Sequence, residues 1–163
     1  MHDRKKRYIK KMQSEIEINL SDDLDSFYPI LINNKLKHKA KPTHTLEELK
    51  ILMDRFPEKI KLLVSSKDNQ ITGGALNFIT NDNTCILFYN MIDYRFVNLQ
   101  IASIQVIESI KWAYKNNYKF LDFGISHQPE HINPLTPKMS LIKFKEEFGA
   151  LGSLRLVFNK NLA

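Results

Sequence analysis

The chain has 163 residues, of which 43% are hydrophobic and 26% are charged. These values are typical of one globular domain and exclude a largely disordered, collagen-like or coiled-coil chain. A single cysteine, Cys85, excludes a disulfide framework and a cysteine-based zinc site, and it favours a reducing, cytoplasmic compartment. Because no window approaches the roughly 20 apolar residues of a membrane-spanning helix, we expect no such span.

The positive charge is concentrated at the start of the chain. Residues 1–11 (MHDRKKRYIKK) contain six basic residues and one acidic residue, whereas the whole chain carries a net charge of +6. Residues 12–163 are therefore nearly neutral, and we predict that they form a single domain behind a basic leader. The leader lacks the apolar run of a secretory signal peptide.

The first part of the chain is predicted to hold a strand and two helices. Alternating apolar residues predict the strand at residues 14–20. Ser21 is expected to cap the first helix, and Pro29 to kink or break it. Thr45 begins a capping box, so the second helix is predicted to start there and to end at Pro57.

Three strands are predicted next, at residues 59–67, 70–80 and 84–92. The pair Gly73-Gly74 in the second of them predicts a bulge or a close approach of another backbone. The third is nearly all apolar, which is typical of a central strand.

The remaining elements complete a mixed sheet. We predict a long, deeply buried helix at 98–117, a buried strand at 119–125, an irregular loop at 126–137, a helix at 138–148 and a strand at 153–159. The order β-α-α-β-β-β-α-β-α-β predicts an α+β fold with a mostly antiparallel sheet and helices on both faces.

This element order is the one used by GNAT acyltransferases, and three motifs narrow the resemblance. Residues 41–49 (KPTHTLEEL) resemble the Pro-Thr-His-Ser segment of FemAB-like and BioF-type GNAT proteins. Residues 121–126 (LDFGIS) are similar to their Asp-Phe-Gly-x-Ser strand end. Residues 141–150 (LIKFKEEFGA) are similar to their Phe-Lys-x-x-Phe-Gly helix. The three motifs follow the order of that family.

The resemblance implies transfer of an acyl or aminoacyl group to an amine acceptor, such as a cell-wall or surface-glycan precursor. It implies acetyl-CoA or an aminoacyl-tRNA as the donor. We expect no metal, because His127 and His131 have no evident third ligand and Pro129 disfavours the helix that would bring them together. FemAB-like proteins usually contain two GNAT-like halves, and these motifs belong to the second half. We therefore expect either a partner N-terminal half, with the leader as a remnant of the helix that joins the halves, or a one-half relative such as a homodimer.

The resemblance also implies the site residues. Lys145 is the expected hydrogen-bond donor to the acyl oxygen, and Asp122 is expected to orient the substrate or Lys145. The alternatives are that Lys145 is a surface lysine and that Asp122 caps the loop after its strand. The implied substrate-binding residues are His44, Gly124, Ser126, His127, Asn133 and Phe144.

The donor site departs from the usual pattern. CoA-binding GNAT domains usually carry a glycine-rich turn before the long helix, where backbone N–H groups bind a pyrophosphate. Residues 93–102 occupy that place here and contain no glycine, which puts CoA binding in question. The remaining cofactor-binding candidates are Tyr89, Asn90, Arg95 and Asn98.

Two hypotheses from other classes stay open. The chain could be a catalytically silent half that docks an acceptor or a partner domain. It could instead bind nucleic acid, tRNA included, through the leader and the lysines at positions 35, 37, 39 and 41. If the chain is an enzyme, its cleft is expected where strands 84–92 and 119–125 separate.

Overall fold

Among the described residues, five strands form one sheet, in the order in which they follow along the chain. The first four are antiparallel neighbours, and the fifth runs parallel to the fourth. The prediction that the fourth strand is central holds only over Thr84–Ile86, where it has a described neighbour on each side. This mixed, mostly antiparallel sheet confirms the predicted fold class. The strands are β1 Glu17–Ser21, β2 Ile60–Lys67, β3 Gln70–Asn81, β4 Thr84–Ile92 and β5 Phe120–Asp122.

The computed structural model describes residues 3–128, 131–153 and 160. The chain divides into two units, His2–Ile125, which holds the sheet and the first four helices, and Ser126–Ala163, which holds the fifth. Residues 154–159 of the last predicted strand lie outside the described part. The helices of that part are α1 Asp3–Gln13, α2 Leu24–Lys37, α3 Leu46–Arg55, α4 Ile101–Lys115 and α5 Met139–Glu146.

Helices cover both faces of the sheet. On one face α2 and α3 bury a cluster that includes Phe27, Leu49 and Leu76. On the other face Ala113 of α4 packs against Cys85. Apolar burial of this kind contributes about 1.5–3 kcal/mol for each fully buried large side chain. The two helical layers therefore fix the side of the sheet that each strand residue faces.

Residues 3–11 of the basic leader are helical. The predicted boundary at residue 11 falls inside α1, where Ile9 and Met12 are buried. Tyr8 of the same helix donates a hydrogen bond to the backbone oxygen of Asn98 at 2.6 Å. The apolar side of α1 therefore packs within the His2–Ile125 unit.

Of the predicted kink or break at Pro29, the break is wrong, because α2 continues through Pro29 to Lys37, and the kink stays a prediction. Its cap is Asp23, whose carboxylate accepts the Ser26 N–H at 2.9 Å, rather than Ser21. Pro29 lies on the exposed side of α2, where water can hydrate the carbonyl that lacks its usual donor. Burial of the opposite side of the helix outweighs that lost hydrogen bond.

The long helix is shorter than predicted. A 3-10 helix occupies Tyr94–Leu99, and Gln100 then takes a left-handed conformation with φ 56° before α4 begins. A left-handed residue cannot continue an α-helix, so the predicted start at residue 98 is wrong. The strand predicted at 119–125 is also shorter: β5 has three residues, and Phe120 is 65% exposed.

The predicted close approach at Gly73 is confirmed. A Cβ atom on Gly73 would lie 2.6 Å from Gln105 Nε2 of α4 and would also overlap the backbone oxygen of Met91. The β2–β3 register shifts at the same place, between Ser65 and Ser66. Glycine at position 73 thus lets α4 lie directly on the sheet.

The predicted capping box at Thr45 is confirmed and gives the first test. Thr45 Oγ1 accepts the Glu48 N–H at 3.2 Å, and Glu48 Oε2 accepts the Thr45 N–H at 2.7 Å. We expect Thr45→Ala to lower the free energy of unfolding by about 1 kcal/mol in urea denaturation. Thr45→Ser keeps the hydroxyl and is the matched control, so an equal loss in both variants would contradict the prediction.

The same box predicts a pH dependence. Hydrogen bonds from Thr45 lower the pKa of Glu48 below its ordinary value of 4.5. Because the folded-state pKa is depressed, the stability from Glu48 is present above that ordinary value and is lost as the pH falls through the folded pKa. The effect of Glu48→Gln on urea stability should therefore be greater at pH 7 than at pH 3.

Cys85 gives the second test. Its side chain is buried and its Sγ donates to the backbone oxygen of Phe120 at 3.8 Å. Burial raises the pKa of the Cys85 thiol to about 11, so the thiolate is scarce at pH 8. We expect Ellman's reagent to leave the native protein unmodified at pH 8 and to react with one thiol after unfolding in guanidinium. Rapid reaction of the native protein would show that the thiol is accessible.

Candidate functional site

The two parallel strands pair only along the first third of β4, from Thr84 with Phe120 to Ile86 with Asp122. Beyond Ile86, β4 continues to Ile92 with β3 on one side and no described strand on the other. The predicted separation of the two strands stays a prediction, because β5 ends at Asp122. An extended ligand can pair with the backbone donors and acceptors on the edge of β4 that no described strand covers.

A β-bulge lies two residues beyond the end of this pairing. Leu76 of β3 pairs with Tyr89, whereas the next residue, Asn77, pairs with Leu87, so Phe88 is an extra residue without a partner. The extra residue reverses the alternation of side chains along the strand. Cys85 packs on the α4 face, but Tyr89, four positions later, packs on the face covered by α2 and α3.

Four rings surround the bulge, and we call His44, Phe78, Phe88 and Tyr89 the aromatic cluster. Phe88 is central: its ring centroid lies 4.8 Å from that of Tyr89, 5.0 Å from that of Phe78 and 5.4 Å from that of His44. Tyr89 is buried, whereas Phe88 is 38% exposed. The cluster therefore presents an apolar surface beside the open edge of β4.

Hydrogen bonds hold His44 in this cluster. The hydroxyl of Tyr89 accepts the Thr43 N–H at 3.0 Å and lies 3.4 Å from His44 Nδ1. Tyr28 donates from its hydroxyl to the backbone oxygen of His44 at 3.1 Å. The sequence predicted His44 as a site residue but not its partners Tyr28, Phe78 and Phe88. The recurring aromatics on neighbouring strands were a signal, but only the register of the bulge shows which of them meet.

Lys35 of α2 lies at the edge of the cluster. Its Nζ is 5.4 Å from the centroid of the Tyr89 ring, and its side chain is half-buried. Loss of hydration on burial lowers the pKa of Lys35. Two residues later, Lys37 Nζ lies 3.5 Å from the centroid of the Tyr94 ring. The carboxyl end of α2 thus places two ammonium groups over aromatic rings.

Asn90 lies on the α4 side of β4, beyond the point where β5 leaves. Its Nδ2 donates to the backbone oxygen of Ala102 at 3.1 Å, in the first turn of α4. Its Oδ1 is buried and accepts no hydrogen bond from the described residues. Gln105 Oε1 is likewise buried and accepts no hydrogen bond from the described residues, although Gln105 Nε2 donates to Ser65 Oγ at 2.8 Å. A bound N–H group can satisfy a buried amide oxygen of this kind.

The other predicted cofactor residues lie before α4. The Arg95 guanidinium pairs with the carboxylate of Asp93, which lowers the pKa of Asp93, and the Arg95 side chain is 75% exposed. Asn98 accepts the hydrogen bond from Tyr8 described above. Tyr89 contributes to the aromatic cluster, on the face opposite to Asn90. Arg95 must therefore exchange an internal carboxylate for any phosphate that it binds.

Asp122 and Gly124 follow β5. The Gly124 N–H donates to Asp122 Oδ1 at 2.6 Å, and Gly124 has φ 68°, a conformation that favours glycine. Asp122 therefore caps the turn after its strand, which is the alternative role predicted for it from the sequence.

The Ser126–Ala163 unit contains the remaining candidates. Lys145 of α5 donates from Nζ to Ser126 Oγ at 2.7 Å, so these two predicted residues meet. His127 pairs with Pro137 as an isolated β-bridge, and Asn133 Oδ1 accepts the Leu135 N–H at 3.0 Å. Phe144 packs edge-to-face on Phe148 with their centroids 5.2 Å apart.

Among the described residues, no three side chains of the His, Cys, Asp or Glu type gather closely enough to hold a metal ion. None of the helices in that part has both the length and the apolar content that crossing a bilayer requires.

Comparisons with known proteins identify the fold. No protein-family model and no curated sequence matches the chain. An aminoglycoside acetyltransferase from an uncultured soil metagenomic sample, solved with sisomicin, matches with a TM-score of 0.64 and 11% identity, over 93% of this chain and 99% of that one.

Two other solved acetyltransferase structures are also similar to this chain. A ribosomal-protein-alanine N-acetyltransferase from Brucella melitensis biovar Abortus 2308 matches with a TM-score of 0.63 and 14% identity, over 90% of this chain and 99% of that one. The aminoglycoside N-acetyltransferase AAC(6')-Iy, solved with CoA, matches with a TM-score of 0.61 and 11% identity, over 91% and 95%. The resemblance to FemAB-like proteins stays a prediction, while the fold of the chain is that of the GNAT acetyltransferases.

Proposed function

We propose that the chain is an N-acyltransferase that moves an acetyl group from acetyl-CoA to a primary amine. The observation that carries this proposal is that the pairing of β4 with β5 ends at Ile86, two residues before the Phe88 bulge. It opens a strand edge beside an aromatic surface, in a fold that the chain shares with solved acetyltransferases.

The residues on the α4 side of β4 fit the donor. Acetyl-CoA, when bound, supplies an activated acetyl thioester. Asn90 Oδ1 accepts no hydrogen bond from the described residues and offers an acceptor to an amide N–H. The edge of β4 beyond Ile86, which no described strand covers, offers backbone partners. Gln100 gives the turn before α4 a left-handed residue without glycine, and the first N–H groups of α4 lack acceptors within the helix. Such a helix start suits a phosphate.

The aromatic cluster supports the acceptor side of the proposal. An amine must lose its proton before its nitrogen can attack a carbonyl carbon. The apolar rings of Phe88 and Phe78 lower the local polarity and so disfavour the charged ammonium form. His44, held by Tyr89, is the proposed group that takes the proton from the amine.

Lys145 is the proposed hydrogen-bond donor to the acyl oxygen, which gains negative charge as the amine attacks. A positively charged donor fixed in place stabilises such charge more than water does. The bond to Ser126 Oγ supports this role, because it fixes the ammonium group before the reaction. The predicted acceptor class, an amine on a cell-wall or surface-glycan precursor, remains part of the proposal.

Calorimetry with acetyl-CoA tests the donor site. We expect saturable binding, and we expect Asn90→Ala to weaken it roughly fivefold or more, because one hydrogen bond contributes about 1 kcal/mol. The matched control is Asn116→Ala, which removes an amide that donates to Trp112 O at 2.8 Å at the other end of α4. The control should bind acetyl-CoA as the wild type does.

Absence of any heat with the wild-type protein would contradict acetyl-CoA as the donor. It would favour the aminoacyl-tRNA-dependent alternative or a half-domain that is silent alone. A titration with aminoacyl-tRNA then separates these two.

Steady-state kinetics tests Lys145. We expect Lys145→Met to lower kcat for acetyl transfer by roughly 100-fold or more, the usual effect of losing a donor to a developing oxyanion. Binding of acetyl-CoA should stay unchanged, and Lys145→Arg should restore part of kcat.

Lys143→Met is the matched control, because Lys143 lies on the same helix with its side chain exposed. An equal loss of kcat in both variants would assign the effect to the helix rather than to the ammonium group of Lys145.

A further inference from the structure

The segment that reaches the aromatic cluster contains no acidic residue. Residues 26–46 include four lysines and two histidines but neither aspartate nor glutamate. They form most of α2, the loop that follows and the start of α3. Since the chain outside the leader is nearly neutral, this stretch is a local concentration of positive charge.

Lys35 is the member of this segment that is half-buried beside the cluster. Among the described residues it has no carboxylate partner, whereas Lys50, Lys67 and Lys111 each pair with one at 2.7 Å. Its Nζ contacts the ring of Tyr89 instead. Partial burial of a cation costs free energy unless an anion compensates it. The lowered pKa of Lys35 agrees with that cost.

Lys35 and His44 lie beside the same ring. Lys35 Nζ is 5.4 Å from the Tyr89 centroid, and the His44 centroid is 6.3 Å from it. A ligand whose amine-bearing part contacts His44 and Phe88 can therefore reach Lys35 with a second group. An aromatic or aliphatic part of the ligand matches the apolar surface of the aromatic cluster. One acidic group on the same ligand matches the positive charge of Lys35.

We infer that the acceptor is an amine that also carries an anionic group, a carboxylate or a phosphate, and that Lys35 pairs with that group. The inference rests on the proposed function and adds the charge class of the acceptor to it. Polycationic amines, such as the sisomicin in the first solved structure above, would be repelled by the lysines of residues 26–46.

Two amines of the same size but different charge test this inference. The acceptors are 4-(aminomethyl)benzoate and 4-(aminomethyl)benzamide, and the measurement is kcat/KM for acetyl transfer from acetyl-CoA. We expect the wild-type protein to prefer the benzoate roughly tenfold or more, as a charge-assisted pair is stronger than a neutral one. In Lys35→Gln we expect that preference to disappear through a higher KM for the benzoate.

The KM for acetyl-CoA distinguishes the two sources of an anionic group. The KM for acetyl-CoA should stay unchanged in Lys35→Gln. If it rises in this variant while the KM for the benzoate does not, Lys35 binds the phosphates of the donor, and the inference is overturned. The matched control is Lys115→Gln, which removes an exposed charge at the end of α4 and should keep the wild-type preference. Thermal unfolding of both variants checks that they are folded.

The remaining outcomes separate this inference from the proposed function. Transfer to both amines without a preference for the benzoate, or a preference for sisomicin, would overturn the inference alone. Absence of transfer to every amine tested would overturn the proposed function, and the inference with it.

Discussion

An extra residue of β4 in the β3–β4 register determines how the site is built. Phe88 is that residue, and it lies two positions after Ile86, where the pairing of β4 with β5 ends. It turns Tyr89 toward α2 and α3 and turns Asn90 toward α4. With strict alternation, both side chains would exchange faces. The donor side and the acceptor side of the strand therefore both depend on one extra residue.

The contact between α4 and the sheet depends on a second local constraint. A side chain on residue 73 would occupy the space in which Gln105 Nε2 reaches Ser65 and the backbone of Met91, and glycine leaves that space open. This interface is polar for a core, and not every amide oxygen in it has a donor among the described residues. The helix is held by directed bonds rather than by apolar packing alone, which fixes its position along β4.

Sequence patterns predicted those elements of the fold that depend only on residues close together in the chain. The capping box at Thr45 and the strands around Gly73 depend on neighbouring residues and could be predicted from them. The outcome at Pro29 depended on tertiary burial of α2, and the start of α4 depended on the backbone conformation of Gln100, which residue preference does not indicate. Among the site residues, His44 came from a motif, whereas Lys35 matters only through its place above Tyr89.

Gln100 has a consequence for how this fold is recognised. Its φ of 56° is the conformation for which glycine is usually selected, and a side chain with a Cβ adopts it at a cost of roughly 1–2 kcal/mol. The burial of Ile101 and Ile104, directly after it, supplies a favourable contribution of comparable size. Glycine is thus one residue that can hold a left-handed position before this helix, and a sequence without glycine there can adopt the same φ.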